Sequence, residues 1–275
     1  MDYKAVAIDL DGTLCTNREI HPKDKEALER TLEKKIPIVP ATTRMRFSTS
    51  LILEEVNIDE YPLICNNGAR VISPGWKSEG EYEDWYESYL DRNVAEELLL
   101  YSDEKNYEIT TVFKEKKYWS KRRGQKHGES SLYPVTRLVE NNIEALNKGP
   151  PLSLMMRSDI NGRNGLKDFE SYARDFFQKV RLDRHHSSQE WMALTVYTSE
   201  ISKKQALELV CEKIDISIDG VLAIGDDEVD IGLLKSAGQG IAMGNSPCSV
   251  KKVADEIAPS CENQGVEWAL RNYVL

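Results

Sequence analysis

Cysteine is sparse and unpatterned in this 275-residue chain: Cys15, Cys65, Cys211, Cys248 and Cys261 are scattered, odd in number and never spaced as CxxC. That excludes a disulfide framework and a thiolate zinc site, and points to a reducing compartment. Long hydrophobic runs are missing too. Apolar stretches stop at four or five residues, far short of the roughly 18 that span a bilayer, so no membrane partner is expected. Basic residues are in deficit, 36 Lys and Arg against 46 Asp and Glu, and the net charge of −10 argues against nucleic acid as a partner. Residues 1–12 read MDYKAVAIDLDG, with carboxylates where a secretory leader needs an apolar region and a small-residue cleavage site. A soluble, cytoplasmic protein is expected. Neither a Walker A sequence nor an HExxH is present.

What is there is an ordinary globular composition, 40% hydrophobic and 30% charged, in a length that suggests about two domains. Lys4–Ile8 is nearly continuous apolar sequence, as for a strand buried on both faces of a parallel sheet. Pro22 can open the next helix, Ile36–Ala41 reads as a second strand, 44–56 as a helix and Pro62–Cys65 as a third strand. This alternation predicts an α/β fold with a Rossmann-like, doubly wound parallel sheet. Residues 73–84, SPGWKSEGEYED, break it with Pro, Gly and charge. Beyond them the pattern suits an inserted α+β module: helix 91–104, hairpin 107–120, helix 138–147, strand 151–156, helix 166–178 and strands near 180–184 and 190–198. The βα alternation then resumes, with helix 203–213, strand 220–224, helix 229–236, strand 240–243 and helices 247–254 and 265–273. Residues 1–80 and 192–275 are therefore read as the core, and 81–191 as the insert.

Chemistry begins where the first strand ends, at Asp9-Leu10-Asp11-Gly12-Thr13. Ligands of open α/β sheets bind beyond the carboxyl ends of strands, so Asp9 stands where a reacting group is useful. A plain strand-end turn is the simpler reading, since Asp and Gly are common turn residues. The sharper one is a carboxylate nucleophile beside a second acid. Two carboxylates so close repel, which favours a retained proton or a shared cation.

The stretch DLDGTL after a hydrophobic strand resembles the first motif of the haloacid dehalogenase superfamily of phosphohydrolases. The superfamily's other motifs can be found in order. Ile38–Ala41 leads to Thr42, Thr43 and Arg44, where a hydroxyl before a helix start can hold phosphate or simply cap the helix. Ile201-Ser202-Lys203-Lys204 opens a helix; Lys203 fits the third motif by alignment, with Lys204 competing for the role. Val221–Ile224 precedes Gly225-Asp226-Asp227-Glu228-Val229-Asp230, two carboxylates four apart that can meet a cation at the sheet edge or merely mark an acidic helix start. Smaller likenesses are Asn66-Asn67-Gly68-Ala69 and Met243-Gly244-Asn245, and the insert resembles the type-IIB cap of Cof-like phosphatases.

The resemblance implies a Mg²⁺-dependent phosphatase acting on a small phosphorylated metabolite, sugar phosphates first. Asp9 would be the nucleophile and Asp11 the acid and base. Thr42, Thr43, Lys203, Asn67 and Asn245 would bind phosphate or substrate, and Asp9, Asp11, Asp226 and Asp230 would serve the metal. Two departures stand out: Thr43 replaces the usual Gly of Thr-Gly-Arg, and Val229 the usual Asn of GDxxND. A sugar phosphomutase on the same core, or a weakened binding or regulatory protein, are the alternatives. The sequence carries no sign of the oligomeric state.

Several other features carry less. Gly238-Gln239-Gly240 precedes an apolar strand, whereas a dinucleotide fingerprint follows one. His185-His186 lacks a third ligand nearby. The basic segment 114–127, with Lys121, Arg122, Arg123 and Lys126, reads as an exposed hairpin and loop or as a surface attracting an anion, and Arg157 and Arg163 are similar. Tyr82, Trp85, Tyr86 and Tyr89 read as packing residues at the junction of core and insert.

Overall fold

A computed structural model describes residues 3–120, 136–159, 163–176, 178–186 and 191–275. Two compact units emerge, residues 1–87 with 201–275, and residues 88–200. Each boundary falls later than the sequence reading put it. The strand Asp84–Glu87 pairs with Arg70–Ile72 and so stays with the first unit, while the last strand of the second unit runs on to Thr198.

In chain order the first unit begins with β1 (Ala5–Ile8), the short hairpin β2 (Cys15–Thr16) and β3 (Glu19–Ile20), α1 (Pro22–Glu33), β4 (Ile38–Pro40), α2 (Arg46–Ile52), β5 (Leu63–Cys65), β6 (Arg70–Ile72) and β7 (Asp84–Glu87). The second unit holds α3 (Arg92–Glu104), β8 (Ile109–Val112), β9 (Lys117–Ser120), β10 (Thr136–Val139), β11 (Ser153–Asp159), α4 (Arg163–Phe176), β12 (Val180–His186) and β13 (Trp191–Thr198). The chain then completes the first unit with α5 (Lys203–Lys213), β14 (Val221–Gly225), α6 (Ile231–Ser236), β15 (Gln239–Ala242), α7 (Cys248–Lys251), β16 (Glu256–Ile257) and α8 (Gly265–Tyr273).

The core sheet is parallel, in the order β16-β15-β14-β1-β4. Because side chains alternate along a strand, Val6, Ile8, Leu222 and Ile224 join one apolar cluster with α1 and α8. Ala5, Ala7, Val221 and Ala223 join another with α5 and α6. Burial on both faces accounts for the unbroken apolar runs. After β1 the chain moves outward to β4, and after β14 it moves the other way to β15. The switch point therefore lies between β1 and β14, whose carboxyl ends carry Asp9 and Asp226.

Capping fixes the helices that border this edge. His21 Nδ1 accepts the Lys23 N–H at 3.2 Å and Pro22 takes the first turn of α1. Ser202 Oγ accepts the Lys204 N–H at 3.2 Å to open α5. For α8, Gln264 offers no side-chain cap; Asp24, on the first turn of α1, accepts the Glu267 N–H at 2.7 Å instead.

The second unit is a mixed sheet in the order β10-β9-β8-β11-β13-β12. Ile109, Leu154, Met156, Leu194 and Val196 pack with Leu98, Leu99 and Phe169 of α3 and α4. Here the sequence reading of a helix over 138–147 is corrected. Thr136–Val139 is a strand parallel to β9, followed by a 3-10 turn over Ile143–Lys148. Edge pairing of a Thr- and Val-bearing segment overrides its helical spacing. In the first unit, Tyr82 lies against the apolar cluster under the Arg46 guanidinium, 4.7 Å from the ring centre. Trp85 and Tyr86 pack on the opposite cluster. Lys121, Arg122, Arg123 and Lys126 lie outside the described residues, as do the side chains of Arg163, His185 and His186.

Candidate active site

Asp9 follows directly on β1, its N–H donating to the Ile224 carbonyl at 3.0 Å, so the parallel register with β14 sets its height at the sheet edge. Its side chain is buried. Lys203, the first residue of α5 and wholly buried, places Nζ 2.5 Å from Asp9 Oδ1 and 2.6 Å from Asp230 Oδ1. The competing Lys204 instead faces Glu208 at 3.7 Å on the helix surface.

Asp230 is equally buried, and its other oxygen accepts the N–H groups of Asp226 and Asp227, both at 3.1 Å. It therefore organises the turn after β14 while orienting Lys203. Asp226 accepts Thr13 Oγ1–H at 2.7 Å and the Asn245 amide at 3.3 Å. Gly12 lies against this carboxylate: its φ is +84°, and an added Cβ would fall 2.4 Å from Asp226 Oδ2.

Carboxylate oxygens of Asp9, Asp226 and Asp230 lie within 4.8 Å of one another. Burial, with the charges of Asp230 and Asp226, holds the Asp9 carboxyl well above the usual range despite the opposing Lys203. Burial and Asp230 push Asp226 up to about 7. Burial works against the charge on Lys203, but Asp230 and Asp9 outweigh it and raise its pKa. Three carboxylates facing one ammonium leave uncompensated negative charge in a largely dehydrated place. Hard oxygen donors so arranged suit a divalent cation.

Arg44 closes the front. Its Nε and Nη2 donate to Asp11 Oδ2 and Oδ1 at 2.6 and 2.5 Å, a bidentate fork, and its Nη1 donates to Ser48 Oγ at 2.9 Å. The sequence predicts a helix from Arg44, whereas α2 starts at Arg46, which leaves Arg44 on the loop to reach across. Thr42 is buried, and its Oγ1 accepts the Arg44 N–H at 3.1 Å. Thr43 beside it is partly buried. Asn67 lies in a buried left-handed turn, Asn66 to Gly68, with its N–H donating to the Thr42 carbonyl at 2.9 Å.

The structure thus brings Asp9, Lys203, Asp226 and Asp230 into one cluster, with Thr13 and Asn245 hydrogen-bonded to Asp226. Asn245 uses both ends of its amide within the protein: Nδ2 donates to Gly12 O at 2.8 Å as well as to Asp226, and Oδ1 accepts the Cys261 N–H at 2.9 Å. It braces the loop, a role the sequence reading did not give it. The sequence pattern does not by itself single out Arg44 or Thr13 as site residues. Arg44 occupies the last place of the Thr-Gly-Arg slot, the one signal that could have drawn attention to it.

The profile of the haloacid dehalogenase-like hydrolases matches residues 6–270. The chain belongs to that family. Among curated relatives, 5-amino-6-(5-phospho-D-ribitylamino)uracil phosphatase YcsE of Bacillus subtilis is 27% identical over 100% of this chain and 97% of its own. A haloacid dehalogenase-like hydrolase from Bacteroides thetaiotaomicron superposes with a TM-score of 0.82 at 25% identity, covering 98% of this chain and 99% of that one. A sugar phosphatase of HAD subclass IIB superposes at 0.80 with 19% identity, covering 98% of each, which is a likeness of fold. The protein is accordingly a hydrolase of this family, with the parallel α/β core of its members. None of the described helices is long and apolar enough to cross a membrane.

Proposed function

We propose that this haloacid dehalogenase-like hydrolase is a Mg²⁺-dependent phosphatase of small phosphomonoesters, sugar or polyol phosphates first. The observation that carries the reading is the environment of Asp9. One of its oxygens is fixed by Lys203, and Oδ2 has no protein partner among the described residues. A carboxylate so held, at the switch point of the sheet, is placed to attack phosphorus.

Asp9 forms the O–P bond of an aspartyl phosphate as the ester P–O bond breaks. Asp11 gives its proton to the departing alcohol, then takes one from the water that hydrolyses the intermediate and frees Asp9. Lys203 offsets charge on the transferring group, and Thr42 with its neighbouring backbone lines the phosphate place. The cation would be held by Asp9 and Asp226 with the main-chain carbonyl of Asp11, supplying positive charge opposite the phosphoryl oxygens. Asp230 supports that shell through Asp226 N–H and Lys203 rather than by a free oxygen. Residues 88–200 are the proposed specificity domain. The polyol preference draws support from the relatives, one acting on a phosphoribityl compound and one described as a sugar phosphatase.

The test is phosphate release from a panel of sugar, polyol and other small phosphomonoesters, with Mg²⁺ and with EDTA, using Asp9→Asn as control. Metal-dependent release that vanishes in Asp9→Asn supports the reading. Transfer of phosphate within a sugar, with no inorganic phosphate, would indicate a mutase. A folded protein that binds phosphate esters without turnover would indicate a binding role.

A further inference from the structure

We propose that Arg44 is the positioning residue for the proton-transferring carboxylate Asp11, anchored for that task by Ser48. This rests on the phosphatase reading above, in which Asp11 is the acid and base. Asp11 needs such a device. Unlike Asp9 and Asp230 it is substantially exposed, with 46% of its side chain open, and it stands on a loop that turns at Gly12 with φ of +84°. A solvated aspartate samples several rotamers, and proton transfer demands one.

The guanidinium supplies the constraint. Its fork donates to both oxygens of Asp11, leaving a lone pair on each oxygen for the proton in transit. Arg44 is itself fixed at three points: Nη1 on Ser48 Oγ at 2.9 Å, its N–H on Thr42 Oγ1 at 3.1 Å, and its carbonyl accepting the Asn66 N–H at 2.8 Å. The orientation of Asp11 is thus inherited from the end of β4, which also carries Thr42. A half-exposed ion pair contributes little to stability, so the geometry serves alignment. Lysine, a point charge, cannot reproduce the fork.

The experiment compares kcat/KM for two esters, nitrophenyl phosphate and glycerol phosphate, in wild type, Arg44→Ala, Arg44→Lys, Ser48→Ala and Asp11→Asn. Nitrophenolate leaves without a proton, whereas an alkoxide needs one, and kcat/KM reports steps up to the phospho-enzyme. Arg44→Ala should lose about 10- to 100-fold on glycerol phosphate and no more than about threefold on the aryl ester, the pattern also expected for Asp11→Asn. Arg44→Lys should recover little, and Ser48→Ala should fall between. Because the second step also uses Asp11, Arg44→Ala should release a burst of nitrophenol before steady state.

The double variant Asp11→Asn with Arg44→Ala should be no slower than Asp11→Asn alone. Equal losses on both esters, a change confined to KM, or fully additive losses in the double variant would each overturn the proposal. If wild-type protein turns over neither these esters nor the wider panel, the phosphatase reading falls and this one with it. If wild type is active and the leaving-group contrast is absent, only the positioning role falls.

Discussion

Lys203 Nζ bridges Asp9 and Asp230, 2.5 Å from one carboxylate and 2.6 Å from the other, with no part of the lysine reaching solvent. Removing one partner of a buried ionic cluster leaves the rest uncompensated, at about 3–5 kcal/mol. Lys203→Met should therefore unfold at lower denaturant concentration as well as lose phosphate release. Added Mg²⁺ should recover part of the stability and none of the activity. A variant as stable as wild type in EDTA would mean that the Lys203 bridge contributes nothing to the fold.

A second expectation concerns the metal alone and needs no substrate. A ligand that binds the native state at a hundred times its Kd stabilises it by about 2.7 kcal/mol. Saturating Mg²⁺ should raise Tm by several degrees, EDTA should reverse the shift, and Asp226→Asn should abolish most of it. Asp11→Asn should keep it, because the proposed cation contact of Asp11 is its main-chain carbonyl. A shift undiminished in Asp226→Asn would place the cation elsewhere.

The strand-end carboxylates were legible because an apolar run followed by Asp marks the carboxyl edge of a parallel sheet wherever the strand sits. Asp9 and Asp226 could be placed on that basis, and Lys203 by a resemblance whose motifs come in order. The Arg44–Asp11 fork was not legible. It joins two loops 33 residues apart, and sequence does not say where a long side chain turns once α2 starts two residues later. Asn245 shows the reverse case: its motif marked it as important, but only contacts reveal that its amide is committed to Gly12, Asp226 and Cys261. The strand at Thr136–Val139 was missed because its partner β9 supplies the reason for its extended form.

Gly68 allows the turn after β5 to approach α5. Its φ is +90°, and a Cβ would lie 2.4 Å from the Ser202 carbonyl oxygen and 2.9 Å from the Lys203 backbone nitrogen. Backbone here cannot yield as a flexible side chain would. Gly68→Ala should cost about 2–4 kcal/mol and lower kcat by displacing Lys203. Chemical denaturation and phosphate release check both. Unchanged values for both would show that the turn can move off the helix at no cost.

Asp24 connects α1 to the start of α8, and it does so as a buried carboxyl whose pKa burial pushes up to about 6 from 3.8. The native state therefore holds this proton more tightly than the unfolded chain. The associated stability is complete below pH about 4 and is lost as pH rises through about 6. Asp24→Asn keeps an oxygen for the Glu267 N–H and has no charge to lose. Between pH about 4 and about 7.5, wild type should lose up to about 3 kcal/mol relative to the variant. Urea unfolding of both proteins across that range measures the difference. A gap independent of pH would show that the carboxyl is solvated in the native state.

Val229 lies in the turn that carries Asp226 and Asp230, where the resemblance implies an asparagine, whose amide valine lacks. Two donors already meet the Asp226 carboxylate from other elements, Thr13 Oγ1 at 2.7 Å and Asn245 Nδ2 at 3.3 Å. Each bond to a charged group is worth about 1.5–3 kcal/mol, so the carboxylate is held without a contribution from position 229. Val229→Asn should accordingly change kcat/KM by less than about threefold, whereas Asn245→Ala should cost about tenfold or more by freeing both Asp226 and the Gly12 carbonyl. The two variants, assayed on the best ester of the panel, separate a compensated site from a decayed one. A large gain in Val229→Asn with little loss in Asn245→Ala would mean that the missing amide limits this protein, and would favour the weakened binding role over the phosphatase.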